Sequence, residues 1–251
     1  MNIQWDADKY TKDFSFVNQY GTALIDMIEG EGLTVLDLGC GNGRLTKLLK
    51  DNGFDAYGMD ASEDLLKIAR AEYPDINFIN GDAADFSEHG RYDVVFSNAV
   101  FHWIDKAKQP RMLSNVHDTL KPNGQFIFEM GGYGNNALIH EALKKEFAKR
   151  SLRYIMPFYF PTIGEYSAML EQAGFLVRSA VLFDRPTELN GENGLYDWIR
   201  MFVKTPFTGM DDALCEDIIN SAVSQLEAEL FKNGKWYADY VRLRCKAEAI
   251  F

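Results

Sequence analysis

Residues 33–45 read LTVLDLGCGNGRL: an apolar run of six residues, a turn carrying Gly39, Gly41 and Gly43, and the first turn of a segment with helical spacing. Glycines placed there let the chain turn tightly after a strand and let the backbone approach a ligand closely. Leu45, Leu48 and Leu49 then repeat at helical intervals, and Asn52-Gly53 stops the segment. The pattern recurs downstream. Short apolar runs at 54–59 (FDAYGM), 76–79 (INFI), 93–97 (DVVFS) and 125–130 (QFIFEM) are bounded by Gly, Asp or Pro, as buried parallel strands tend to be. Between them, Ser62 reads as a helix N-cap followed by Glu63 and Asp64, with Leu65, Leu66, Ile68 and Ala69 as the buried stripe. A further helix over about 108–120 ends at Lys121-Pro122-Asn123-Gly124. Strand and helix alternating in this way require right-handed crossovers, and hence a doubly wound α/β sheet.

After residue 131 the pattern changes. Thr162 and Glu165 form a T-x-x-E capping box for a helix that Gly174 closes, and FLVRSAVLF (175–183) reads as a strand. Residues 192–232 have helical character, and the stretch from 237 to 251 alternates as a strand in its first half. The expected organisation is one domain over 1–251. Its core spans about 30–130, edge strands lie near 175–183 and 237–250 with an antiparallel edge, and helical segments at 1–30, 134–160 and 191–232 form a cap.

The chain has 251 residues and a net charge of −11, from 26 Lys and Arg against 37 Asp and Glu. An acidic balance disfavours general binding to nucleic-acid backbones or acidic membranes, which draw on clustered Lys and Arg. No stretch approaches the roughly 18 consecutive apolar residues of a membrane span, and the opening MNIQWDADKYTKDF lacks a basic and apolar leader, so a cytoplasmic location is expected. Cys40, Cys215 and Cys245 are odd in number and lack C-x-x-C spacing, so reduced thiols are expected and no metal site.

Three carboxylates define the ligand expected at the glycine loop. Asp60 ends the second strand, where it can accept both hydroxyls of a ribose. Asp37 precedes the first glycine by two residues and would oppose a pyrophosphate while favouring an ammonium or sulfonium. The loop reads G-x-G-x-G, whereas a dinucleotide prefers G-x-G-x-x-G. Asp82, in Gly81-Asp82-Ala83-Ala84, can take the exocyclic amine of adenine while the backbone N–H of Ala83 reaches a ring nitrogen. S-adenosylmethionine has the ribose, the adenine and both cationic groups, and no phosphate.

The ordered set VLDLGCGNG, GMDAS, NGDAADF, DVVFSNAVFHW and LKPNGQFIFE resembles the motifs of class I S-adenosylmethionine-dependent methyltransferases over about residues 30–130. That resemblance implies a Rossmann-like, seven-stranded sheet whose last strand is antiparallel. It also implies a cofactor set of Asp37, Gly39, Cys40, Gly41, Asp60, Ala61, Asp82, Ala83 and Asn98, with Tyr10 from the N-terminal aromatics nearest the sulfonium. WDADKY (5–10), FSNAVFHW (96–103) and NGKWY (233–237) are further similar to trans-aconitate 2-methyltransferase and its uncharacterised relatives.

The segment after the fourth strand often faces the methyl group in this fold, which brings Ser97, Asn98, Phe101, His102 and Trp103 forward. His102 reads either as a general base or as a histidine packed at the start of a helix. The N-P-P-Y or D-P-P-Y, Pro-Cys and paired-glutamate signatures of enzymes acting on DNA amines, RNA cytosines and protein arginines are absent, which leaves small-molecule acceptors, an organic-acid carboxylate among them. Arg153, Arg185, Arg200 and Lys204 are candidate carboxylate anchors, and Tyr133, Tyr154, Trp198 and Phe202 candidate pocket walls. The competing reading from another class is a sensor that binds S-adenosylmethionine or its product without turnover.

Overall fold

The computed structural model describes residues 16–87 and 89–251, the first five of these as backbone only. The strands, in chain order, are β1 (Thr34–Leu38), β2 (Asp55–Asp60), β3 (Asn77–Asn80), β4 (Tyr92–Asn98), β5 (Leu120–Gly131), β6 (Phe175–Leu189), β7 (Phe231–Lys232) and β8 (Lys235–Ala249). The sheet runs β3-β2-β1-β4-β5-β8-β6, with the two-residue β7 paired to β8 off this path. Its first five strands are parallel, and β8 is antiparallel to both neighbours, β5 and β6. The fold is thus the doubly wound sheet with an antiparallel last strand. The β7–β8 hairpin turns on Asn233-Gly234, both at positive φ, the backbone a two-residue hairpin loop requires.

Helices α1 (Phe16–Ile25), α2 (Arg44–Asp51), α3 (Glu63–Glu72), α4 (Gln109–Thr119), α5 (Ala137–Lys149), α6 (Ile163–Gln172), α7 (Gly194–Phe202) and α8 (Asp212–Leu230) complete the described chain. Among the described residues no helix is long and apolar enough to cross a membrane. Period-two alternation along the strands divides the core. Val35, Val94, Phe96 and Ile127 pack toward α1 and α2, with Leu24, Leu45 and Leu49. Leu36, Leu38, Val95, Phe126 and Phe128 point the other way, toward Met112 and Leu113 of α4 and Tyr166 and Leu170 of α6. The Ser62 and Thr162 side chains accept from the backbone N–H groups of Leu65 and Glu165, as N-caps. The Glu165 carboxylate is engaged by Lys106 at 2.6 Å.

A separate apolar cluster holds the cap segments together. Leu143 and Phe147 of α5, Trp198 and Ile199 of α7, and Ile218 and Ala222 of α8 pack against Trp236, Ala238 and Tyr240 at the start of β8. Two boundaries differ from the sequence expectation. The segment 134–160 is helical only over α5, and residues 152–162 run without regular structure. The strand expected over 175–183 continues to Leu189, pairing with β8 as far as Trp236. Pro186 lies within it, tolerated because β6 is an edge strand that needs no amide donor on its open side.

Candidate active site

The sheet order reverses between β1 and β4, and a cleft opens beyond the C-terminal ends of the parallel strands at that switch point. It encloses about 1180 Å³, its open mouth included. The glycine loop after β1 forms its floor. Gly39 and Cys40 both donate to the carbonyl of Met59, at 2.7 and 3.0 Å, which pulls the loop across the end of β2. Gly39 has φ +82, and a Cβ there would collide with Val100. Gly41 has φ +56, and a Cβ would meet nothing closer than Leu65 Cδ1 at 3.9 Å, so its backbone faces open space.

Asp60 stands at the rim of this floor. One carboxylate oxygen accepts from the Gly41 N–H and the other from the Ser62 N–H, both at 2.8 Å. Burial raises its pKa above the ordinary carboxylate range, opposed by those backbone donors. Ala61, Gly81, Asp82 and Ala83 continue the lining, and Asp82 accepts from the Ala84 N–H at 2.9 Å. On the opposite wall stand Asn98, Ala99 and Val100; Ala99 sits at φ 62, left-handed backbone that only a constrained turn imposes on a residue with a Cβ.

The cleft deepens toward the cap. Trp103, Phe158, Phe160, Trp198, Phe202 and Tyr240 wall this chamber. Trp103 meets Phe158 edge to face at 4.6 Å between centroids, Phe158 stacks on Phe160 at 5.3 Å, and the Trp198 indole donates to the Tyr240 hydroxyl at 2.7 Å. Arg242 of β8 is also on the wall, 5% exposed, with its guanidinium carbon 4.3 Å from the Tyr240 ring centroid. His102 is 7% exposed. The Gly131 N–H donates to its Nδ1 at 3.2 Å, so the neutral ring carries its proton on Nε2. Burial, reinforced by the charge of Arg242, holds His102 well below the usual imidazole pKa.

A methyltransferase-domain family profile matches residues 35–124. An uncharacterized methyltransferase of Schizosaccharomyces pombe, C70.08c, is 31% identical over 96% of this chain and 96% of its own length. The chain belongs to the S-adenosylmethionine-dependent methyltransferase family. Trans-aconitate 2-methyltransferase of Rhizobium rhizogenes is 28% identical over 60% of this chain and 62% of its own. An S-adenosylmethionine-dependent methyltransferase of Mesorhizobium loti shares the fold, with a TM-score of 0.54 at 19% identity over 90% of this chain and 96% of that one.

The cofactor half of this methyltransferase's cleft fits a ligand that offers hydroxyls and an amine and brings no phosphate. Among the described residues the charged groups lining this half are the Asp60 and Asp82 carboxylates, and Gly41 leaves the backbone open to close approach. Gly39, Gly41, Asp60, Ala61, Asp82, Ala83 and Asn98 all line the cleft. Asp37 and Cys40 do not. Asp37 shares the face of β1 with Val35, and so points toward α2, where it accepts from the Thr46 hydroxyl at 2.7 Å. Burial pushes its pKa up to about 7, against the Thr46 hydrogen bond and with a small addition from Asp60. Cys40 is buried beneath the loop in the cluster of Leu66, Ala69 and Phe78. Tyr10, with Trp5 and Phe14, lies outside the described residues.

The acceptor candidates divide. Trp103, Trp198 and Phe202 line the chamber. Tyr133 is 65% exposed and Arg153, Arg200 and Lys204 are exposed, all outside the lining. Arg185 is committed elsewhere: together with Arg244 it holds the buried carboxylate of Glu129 through paired hydrogen bonds. Tyr154 lies behind the wall, its hydroxyl 2.6 Å from His140 Nδ1. Among the described residues the cation lining the chamber is therefore Arg242, a residue of the stretch 237–251 that the sequence reading did not single out. The Phe158 and Phe160 walls were hidden in a segment read as helical. As a general base His102 is poorly placed, because Gly131 occupies one ring nitrogen and the proton the other.

Proposed function

We propose that this methyltransferase acts on a small organic acid, and that the ionised carboxylate is the methyl acceptor. The division of charge along the cleft carries the reading: Asp60 and Asp82 in one half, the buried Arg242 guanidinium in the other. Gly39, Gly41, Asp60, Asp82, the Ala83 N–H and Asn98 are the residues that would hold the cofactor, Asp60 taking the ribose hydroxyls and Asp82 the adenine amine. When bound, S-adenosylmethionine supplies a methyl group on a sulfonium, and its transfer to a carboxylate oxygen returns the C–S electron pair to sulfur with no proton changing hands. A carboxylate is already ionised near neutral pH and needs no base. A guanidinium in the chamber attracts such an acceptor and repels a protonated amine. The aromatic walls contribute by excluding water and by fixing the pose of the acceptor's body, the two sources of rate an activated donor leaves to the protein. The name of the Rhizobium rhizogenes relative, an enzyme of trans-aconitate, agrees with an acid acceptor.

The test is incubation with methyl-labelled S-adenosylmethionine and fractionated cell extract, followed by treatment of the labelled product with alkali. A methyl ester releases volatile labelled methanol, and that is the expected result. Label that survives alkali would replace the carboxylate with a nitrogen, sulfur or ether acceptor. Binding of the cofactor with no labelled product in any fraction would favour the sensor.

A further inference from the structure

We propose that His102 acts as a neutral hydrogen-bond donor which, through Nε2–H, orients the acceptor carboxylate in the chamber. The inference deepens the acid-acceptor reading and rests on it. The Gly131 N–H at Nδ1 fixes which nitrogen bears the proton, and it does so from the end of β5, an element held in the sheet on both sides. With Nδ1 taken by Gly131, Nε2–H is the polar group that the ring has left to offer, and the ring lines the cleft. A neutral N–H in the wall of a ligand cleft is a ready donor to a ligand carboxylate, and a hydrogen bond to a charged group is stronger than one between neutral groups. Trp103, Phe158 and Phe160 stand around the ring, at 5.5, 6.0 and 5.9 Å between centroids, which holds its plane and dries its surroundings. Arg242 shares this chamber. The two donors differ in kind: the guanidinium selects charge, and the imidazole N–H selects the position of one oxygen, leaving the second oxygen of the same carboxylate to attack.

The kinetic signature follows from where the charge goes. A carboxylate loses its negative charge as the ester forms, so a hydrogen bond to it is stronger in the bound substrate than in the transition state. Removing such a bond raises KM and leaves kcat unchanged or somewhat higher, whereas removing a general base lowers kcat. The experiment uses the extract fraction that yields alkali-labile label as the acceptor source, diluted in series, with wild type, His102→Ala and His102→Gln. The expected result is an apparent KM raised about tenfold or more in His102→Ala, the range for a bond to a charged group, with kcat within a few-fold. His102→Gln, which keeps an N–H donor and cannot serve as a base, should recover most of the loss. The wild-type single-turnover rate should stay flat from about pH 6 to 9, across the reference pKa of imidazole. Nitrogen-15 spectra of the histidines in the acceptor-free protein should show His102 protonated on Nε2 alone. An unchanged KM in His102→Ala, equal losses in both variants, a kcat effect that grows on acidification, or an Nδ1-protonated ring would each overturn the inference while the alkali-labile label still stands. Alkali-stable label would instead defeat the acid-acceptor reading itself.

Discussion

Replacing Asp60 with alanine is expected to weaken binding of S-adenosylhomocysteine by about 10- to 150-fold. The carboxylate is fixed on the rim by the Gly41 and Ser62 N–H groups at 2.8 Å, which occupy one lone pair on each oxygen and leave others for ligand hydroxyls. A hydrogen bond to a charged group contributes roughly 1.5–3 kcal/mol, and the quoted range is that energy converted at about 1.4 kcal/mol per factor of ten. Burial raises the Asp60 pKa in the ligand-free protein, which means that the charge is incompletely compensated there. Ligand hydroxyls supply the missing donors and pull the pKa back down. The bound state thus favours the ionised form more than the free state does. Affinity should be full above the free-state pKa and fall as the pH drops through it. Calorimetric titration from neutral pH downward measures both effects, with a thermal melt to establish that the variant is folded. A folded Asp60→Ala protein with unchanged Kd, or a wild-type affinity that rises on acidification, would refute the placement of the ribose at this carboxylate.

The two loop glycines should respond differently to alanine. At Gly39 a Cβ meets Val100 as well as a φ of +82, so Gly39→Ala should cost on the order of 2–4 kcal/mol in denaturant melts, partly restored by Val100→Ala. At Gly41 the space is open and the backbone penalty alone remains, about 1–2 kcal/mol, so Gly41→Ala should lose cofactor affinity out of proportion to stability. Asp37→Asn should stabilise the ligand-free protein at about pH 8.5 by up to roughly 4 kcal/mol and lose that advantage near pH 4, because a carboxyl whose folded pKa is raised to about 7 costs stability as the pH climbs from its unfolded value through 7. Equal differences between variant and wild type at both pH values would show that Asp37 folds with no unusual proton.

The parallel half of the fold is legible in the sequence because each of its units is local. A strand, a glycine turn and a helix stripe within about 25 residues of one another carry their own period and their own caps, and the cleft lining from Gly39 to Ala83 follows from them. The aromatic chamber is not legible in this way. Tyr240 and Arg242 meet the chamber only because β8 pairs with β5 in the register that sets Arg242 opposite Gly131, a pairing no local pattern encodes. Arg185 and Arg242 look alike as residues; Arg185 reaches across β8 to Glu129 of β5 and becomes a structural ion pair, while Arg242 becomes a wall of the cleft. Asp37 shows the limit even within a motif. Its sign suits a cationic ligand, but strand alternation turns it away from the cleft and onto Thr46.

The position of β8 bears on how the molecule assembles. It follows every other strand in chain order, yet it lies between β5 and β6 and supplies both of their antiparallel partners. The strands from β1 to β5 can be wound by successive local crossovers, whereas β6 has no seat until residues 235–249 arrive, and closing loops of that length is the slow part of folding for such topologies. The glycine-loop end of the cleft is therefore able to form early, and the aromatic chamber is completed last.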